Sequence, residues 1–241
     1  MLLLANLHLR CFYSCPLAAF FSHLHGKPRL MTVCIFGVTG MVGRQLLIHS
    51  LAKGGQVRAF GRQVENLLDA DLQSDQLDVI KGYIFDEKAV REAIHGCDAV
   101  LSALGGSFDG TDKARSLGMK NIVGQMLATG VQRMVALGGL GVLQNSDGQY
   151  LMDRPTYPAE YLPVGREHQQ AYWHLRDSGL DWTFVCAPNI LSADANNHYQ
   201  AAAEAPGPGD HISAGNLALC MVEAVALDRF LHQRIGLADL P

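Results

Sequence analysis

The sequence predicts an α/β fold: a doubly wound parallel sheet, formed as a single domain. Three observations predict it. Short apolar, β-branched runs alternate with stretches of helical length from Thr32 to Leu227. Glycines close several of those helical stretches, as at Gly54, Gly130 and Gly179. The chain of 241 residues is 49% hydrophobic and only 17% charged, so it can bury a core of its own and is not a disordered polymer.

The elements follow in order. Thr32–Phe36 is apolar and ends in Gly37, which reads as a first strand. Val42, Leu46, Leu47 and Leu51 then recur at helical spacing within 41–51, and Lys53-Gly54-Gly55 stops that helix. Residues 56–60 read as a second strand, 77–80 as a third and Glu87–Ile94 as a short helix. Residues 98–104 (DAVLSAL) read as a fourth strand, and 112–129 as a long helix closed by Gly130. A fifth strand is expected over 132–137, a helix over 164–178, a sixth strand over 180–186 and a late helix over 214–227. Parallel sheets of this kind take ligands beyond the carboxyl ends of their strands, where the strand order reverses.

Charge and cysteine usage narrow the function class. The net charge is −4, which leaves no basic surplus for nucleic acid or an anionic membrane. The six cysteines are scattered, with no CxxC and no HExxH, so neither a zinc site nor a disulfide framework is expected. Reduced thiols and a cytoplasmic location follow as expectations.

Residues 1–30 differ from the rest. They contain no acid and three basic residues, and removing them leaves 16 basic and 23 acidic residues, a net charge of −7. Their apolar patches are broken by Arg10, Cys15 and His23, so no membrane span is expected. Three readings stay open: upstream sequence with the functional chain beginning at Met31, a targeting segment, or a docked arm. The segment is treated as an extension outside the fold, and 31–241 as the domain.

The strongest motif is Gly37-Val38-Thr39-Gly40-Met41-Val42-Gly43, between the first strand and first helix. Gly37 permits a tight turn, Gly40 lets the main chain approach a diphosphate, and Gly43 lets the helix pack closely on the sheet. The N–H groups that open the helix then face the phosphates. This is the pattern of an NAD(P)-binding Rossmann fold. An NAD site usually carries an acid at the end of the second strand, for the ribose hydroxyls. Here that end reads Arg58-Ala59-Phe60-Gly61-Arg62, with no acid before Glu65. Arg62 stands where a 2′-phosphate would lie, which favours NADP(H) over NAD(H). Arg44 could assist.

GVTGMVG, Arg62 and Leu101-Ser102-Ala103-Leu104-Gly105-Gly106 resemble the atypical short-chain dehydrogenase/reductases. The chain is most similar to the NmrA-like and biliverdin-IXβ reductase/flavin reductase type. Gly118–Val123 with Thr129-Gly130-Val131, the Ser178-Gly179-Leu180-Asp181-Trp182-Thr183 stretch, Ala187–Ile190, and Ile212-Ser213 with Asn216-Leu217-Ala218 carry the resemblance onward. It implies that Gly37, Thr39, Gly40, Met41, Val42 and Gly43 hold the diphosphate and Arg62 the 2′-phosphate. It sets Tyr83 and Ile84 beside the adenine. Leu104, Gly105 and the turn at Gly138 and Gly139 would border the ribose and nicotinamide. Three positions depart from the family pattern: Tyr83 for an Asp, Gly138 or Gly139 for a Ser or Thr, and Asn216 for an Asp.

The chemistry is narrowed by what is missing. All six lysines lie at or before Lys120, so the Tyr-x-x-x-Lys pair of ordinary short-chain dehydrogenases is absent from the second half. No G-x-S-x-G occurs, which leaves a hydrolase elbow without support. Hydride transfer to a flat acceptor such as a flavin, quinone or tetrapyrrole needs little acid/base help from the protein. In the helix at 164–178, His168 and Tyr172 share one stripe, and either could donate a proton to such a small-molecule substrate. The competing reading makes them a core histidine and a packed tyrosine. Asn189 is placed to touch the nicotinamide amide or the substrate. The long connection 143–163, with Tyr157 and Tyr161, and the loop at His198 are candidate covers. The alternative function is a non-catalytic, redox-sensing NADP(H)-binding regulator of NmrA-like type that acts through a protein partner. A monomer or a homodimer is expected.

Overall fold

The computed structural model describes residues 31–65, 72 and 74–241. The extension at 1–30 lies outside the described residues.

The alternation seen in the sequence builds an open sheet. Strand β1 (Thr32–Phe36) leads into helix α1 (Met41–Ala52), followed by β2 (Gln56–Gly61) and β3 (Leu77–Lys81). Helix α2 (Glu87–Ile94), β4 (Ala99–Ser102), α3 (Ser116–Thr129) and β5 (Arg133–Gly139) come next. They are followed by α4 (Leu162–Arg176), β6 (Asp181–Ala187), β7 (Asn189–Leu191), β8 (Tyr199–Ala203), β9 (His211–Ser213), α5 (Ala214–Ala226) and β10 (Gln233–Asp239). The large sheet has the order β3-β2-β1-β4-β5-β6-β10-β8. Its pairs are parallel except at the β8 edge, which runs antiparallel to β10. Strands β7 and β9 form a separate parallel pair.

Strand periodicity sorts the core into two layers. Within β1, Val33 and Ile35 join a cluster with Leu46 and Leu47 of α1 and Leu217 and Met221 of α5. Cys34 and Phe36 point the other way, to Ile94 of α2, Ile122 and Met126 of α3, and Leu175 of α4. Alternate residues of a strand face opposite sides, so one strand feeds both layers. Because the order reverses at β1, between β2 and β4, a crevice opens beyond the carboxyl ends of β1 and β4.

Several expected boundaries shift. The fourth strand is shorter than 98–104: after Ser102 the chain turns into the crevice. The helix expected from residue 112 begins at Ser116, because the Asp112 carboxylate accepts from the Ala114 N–H and holds 112–115 in a turn. Strands β7 to β10 were not foreseen. The sequence of β8 (YQAAA) favours helix by propensity, and its strand form comes from pairing with β10. Asn216, where the family pattern has Asp, is fully buried at the start of α5. Its carbonyl oxygen accepts from the N–H groups of Asn196 and Asn197, and its amide donates to Asn196 and Asp239. This neutral residue therefore ties α5 to the loop before β8 and to the end of β10.

Candidate functional site

The crevice is a cleft of about 990 Å³, at the upper end of the roughly 300–1,000 Å³ of ligand pockets. Its first wall is the glycine loop: Gly37, Thr39, Gly40, Met41 and Val42 line it. Gly37 has φ +79, and a Cβ there would stand 2.4 Å from the Ala103 carbonyl oxygen. Gly43 does not line the cleft. A Cβ at that position would lie 2.1 Å from the Gly37 carbonyl oxygen, so its task is to let α1 sit against the turn. Gly40 caps α1 with no side-chain acceptor, and the first turn holds no acid. The opening N–H groups of α1 are thus left for an anion, aided by the helix dipole.

The next stretch runs past the end of β2. Arg62 is exposed, lines the cleft and has no hydrogen-bond or ion-pair partner among the described residues. The nearest downstream acid, Glu65, is paired with Lys81 at 2.6 Å. That pairing holds the Glu65 carboxyl below its usual range and draws it away from the role of ribose acceptor. Tyr83 and Phe85 line the same stretch as an edge-to-face pair with centroids 5.1 Å apart, both substantially exposed. Ile84 lies beside them, its carbonyl fixed by the Asn121 amide at 2.8 Å. Uncapped N–H groups, a free guanidinium and an exposed aromatic face together fit a nicotinamide dinucleotide.

The far end has a different construction. Leu104, Gly105, Gly138 and Gly139 form its floor. A Cβ at Gly138 would meet the Phe184 ring at 2.0 Å, and one at Gly139 would meet His168 at 3.0 Å. The two glycines therefore stand where other side chains already fill the space. A Ser or Thr at Gly138 would collide with the ring, and one at Gly139 would crowd the imidazole. His168 lines the cleft beside Gly139, and its Nδ1 is buried with no hydrogen-bond partner among the described residues. Burial, and then the Arg115 charge, push its pKa down to about 3, so the imidazole is neutral at pH 7. A neutral imidazole can donate one N–H.

Arg115 also lines this end. Its terminal nitrogens donate to the carbonyls of Gly106 and Ser107, each at 3.0 Å, and its guanidinium lies 5.7 Å from the Phe108 ring centre. The neighbouring Glu167 is engaged elsewhere: it accepts from Lys113 at 2.6 Å and from the Ser116 hydroxyl. That buried carboxylate ties α3 to α4 and so fixes where His168 stands. Tyr157, Pro158 and Tyr161, from the connection between β5 and α4, complete the wall. Burial raises the Tyr157 hydroxyl above its usual pKa. Asn189, exposed at the start of β7, lines the opposite side with Asp210, whose carbonyl accepts from the Asn189 N–H at 3.2 Å.

The cleft thus gathers Gly37, Thr39, Gly40, Met41, Val42, Arg62, Tyr83, Ile84, Leu104, Gly105, Gly138, His168 and Asn189. Tyr172 is not among its lining residues. One turn along α4 from His168, it is buried against Trp182 and Phe184, with the Arg234 guanidinium 5.0 Å from its ring centre. The helical stripe placed both residues inward, but the cleft ends before Tyr172 and the core begins there. His198 also stands outside the lining, in the loop tied by Asn216. Arg115, Asp112 and Phe108 were missed. Phe108 stands in the polar, glycine-bearing stretch after the fourth strand, at the sheet edge where ligands bind, whereas Asp112 and Arg115 fall inside the expected helix.

Among the described residues, no cluster of His, Cys, Asp or Glu could hold a metal ion. No helix among them is long and apolar enough to cross a membrane.

Comparison with known proteins agrees with this geometry. A family described as NAD(P)H-binding matches residues 37–228. A relative from Streptomyces griseus, (4-alkanoyl-5-oxo-2,5-dihydrofuran-3-yl)methyl phosphate reductase, is 28% identical over 160 residues. That match takes in 66% of this chain and 48% of the relative, so it spans about half of the relative's length. A Burkholderia pseudomallei structure, provisionally described as an exported protein, superposes with a TM-score of 0.74 at 26% identity. It covers 87% of this chain and 100% of its own. SP1627 of Streptococcus pneumoniae, provisionally assigned as an NADH-flavin reductase, has a TM-score of 0.74 at 23% identity, with the same coverage.

Proposed function

The chain belongs to the NAD(P)H-binding family, and from that premise we propose that it is a reductase that prefers NADPH and serves a flat acceptor. One observation carries the reading. A single cleft joins the uncapped N-terminus of α1 and the unpartnered Arg62 to a glycine floor at Gly138 and Gly139, with a neutral His168 beside it. The reductase names of relatives support the general part of it, a reductase.

The bound nicotinamide would supply the hydride. The chain supplies orientation. The main-chain N–H groups after Gly37 hold the diphosphate, and Arg62 holds the 2′-phosphate by a charge-assisted, bidentate contact. Phe184 and His168 fill the space beside Gly138 and Gly139, so a flat ring would lie over a floor without hydroxyls, with Tyr157 and Tyr161 as its wall. Asn189 is assigned to the nicotinamide amide. His168 donates a hydrogen bond to the acceptor and so takes the place of the missing Tyr-Lys pair. We assign the protein to the cytoplasm, in keeping with four free, buried thiols at Cys34, Cys97, Cys186 and Cys220.

NADPH fluorescence tests the reading: the chain is titrated with NADPH, then followed in time after FMN or a small quinone is added. Binding followed by steady oxidation is expected. Absence of binding would overturn the cofactor assignment. Binding without oxidation by flavins, quinones or bilins would overturn catalysis. That outcome favours the regulator reading, which the hydroxyl-free floor at Gly138 and Gly139 also suits.

A further inference from the structure

The far end of the cleft contains a cation that the hydride-transfer scheme does not use. Arg115 is 7% exposed. Among the described residues no carboxylate stands within ion-pair distance of it, and its hydrogen bonds go to two main-chain carbonyls. The Nε–H is buried with no hydrogen-bond partner among the described residues. Asp112 and Glu167 are near enough to act on its charge, but burial outweighs them and neither reaches ion-pair distance. Glu167 is taken up by Lys113 and Ser116, and Asp112 accepts from the Ala114 N–H. Asp112 lines the cleft too and bounds the subsite on one side. Burying a charge without a close counter-ion costs several kcal/mol, a cost that a bound group of opposite charge would offset. Other buried arginines differ. Arg133 has Asp228 at 3.6 Å, and Arg234 pairs with Glu204. Only Arg115, of these three, faces the cleft.

We propose that Arg115 is a specificity residue that binds an oxyanion, carboxylate or phosphate, on the acceptor. This rests on the reductase reading and narrows it: the acceptor is a flat ring bearing an acidic arm. The ring lies over Gly138 and Gly139, the arm reaches toward the α3 end of the cleft, and His168 meets a polar atom between them. Phe108, 63% exposed on the guanidinium, gives that arm an apolar flank. A guanidinium has five N–H donors in a planar fork, and the two backbone bonds leave donors over for an oxyanion.

Three fluorescent probes with one ring system test this: 2-naphthoate, 2-naphthyl phosphate and 2-naphthamide. Each is titrated into the full chain with and without saturating NADP⁺, so the readout does not depend on turnover. Both anions are expected to bind at least tenfold more tightly than the amide, and the stronger of the two identifies the arm. Arg115→Met should bring the three affinities together, while Arg115→Lys keeps the preference within a few-fold. Equal affinities in the unaltered chain would overturn the proposal, and that result stands even if Arg115→Met fails to fold. A preference that survives in a folded Arg115→Met chain would overturn it as well. Failure of the reductase reading shows up elsewhere, as absent NADPH binding or absent oxidation.

Discussion

At the α1 end of the cleft the ligand would meet peptide N–H groups from one continuous stretch, Gly37 to Val42, with Arg62 added from the next strand. At the β5 end it would meet side chains brought from separate places: Arg115 before α3, Tyr157 in a loop and His168 on α4. The first end is rigid because its glycines are packed against main chain. The second is held by side-chain ties such as Glu167 to Lys113 and Ser116. The contrast teaches how one scaffold keeps its cofactor and changes its substrate. A main-chain site tolerates few substitutions, whereas a side-chain site can be rewritten one residue at a time.

Gly43→Ala tests the rigidity of the first end and has the largest expected effect. Its methyl would stand 2.1 Å from the Gly37 carbonyl oxygen, which cannot yield without moving the turn. A loss of about 3 kcal/mol is expected, a fall of roughly 6–12 °C in Tm, together with NADPH affinity weakened by more than about tenfold. A calorimetric scan and a titration check both, and an unchanged pair of values would break the comparison at once.

His168→Gln probes the second end. Turnover should fall by about 10²-fold while NADPH affinity holds within about twofold. A pH series adds a sign. The folded imidazole has its pKa near 3, against an ordinary value of 6.5. Between those values the unfolded chain binds the extra proton, so stability declines as pH drops through that window and levels off near its lower limit. In His168→Gln that part of the acid decline should disappear. If urea denaturation between pH 7 and pH 4 gives the same slope for both chains, His168 is not held neutral.

Arg62→Ala should weaken NADPH by about tenfold and leave NADH nearly unchanged. An equal loss for both cofactors would mean that Arg62 does not meet the 2′-phosphate. The smallest effect belongs to Tyr172→Phe. The hydroxyl faces no partner that turnover needs, so rates should stay within about twofold and stability within about 0.5 kcal/mol. A large loss of turnover there, with Tm intact, would return Tyr172 to the active site.

Much of this was legible before any coordinates. The strand–glycine–helix order announced the first end because each glycine answers a local steric demand, and local demands show in local sequence. Arg62 was legible for the same reason: the first residue after β2 is a fixed place. His168 and Tyr172 were less so. A helical stripe says which way a side chain points, not whether a cleft or a core lies there, and four residues along α4 decide between the two. Arg115 was hidden inside a stretch that reads as continuous helix, and only the turn at Asp112 sets it on the cleft.

By itself, the sequence determined the α/β alternation, the two-sided core and the glycine turn, since burial periodicity and backbone sterics act over a few residues. The tertiary structure alone decided three further things. It turned YQAAA into an edge strand by offering it β10, set Arg115 on the cleft beyond ion-pair distance of any carboxylate among the described residues, and set His168 against Gly139 while Tyr172 went into the core. Each of these depends on which distant segment arrives at a given place, and a charge or a cleft is defined by those neighbours.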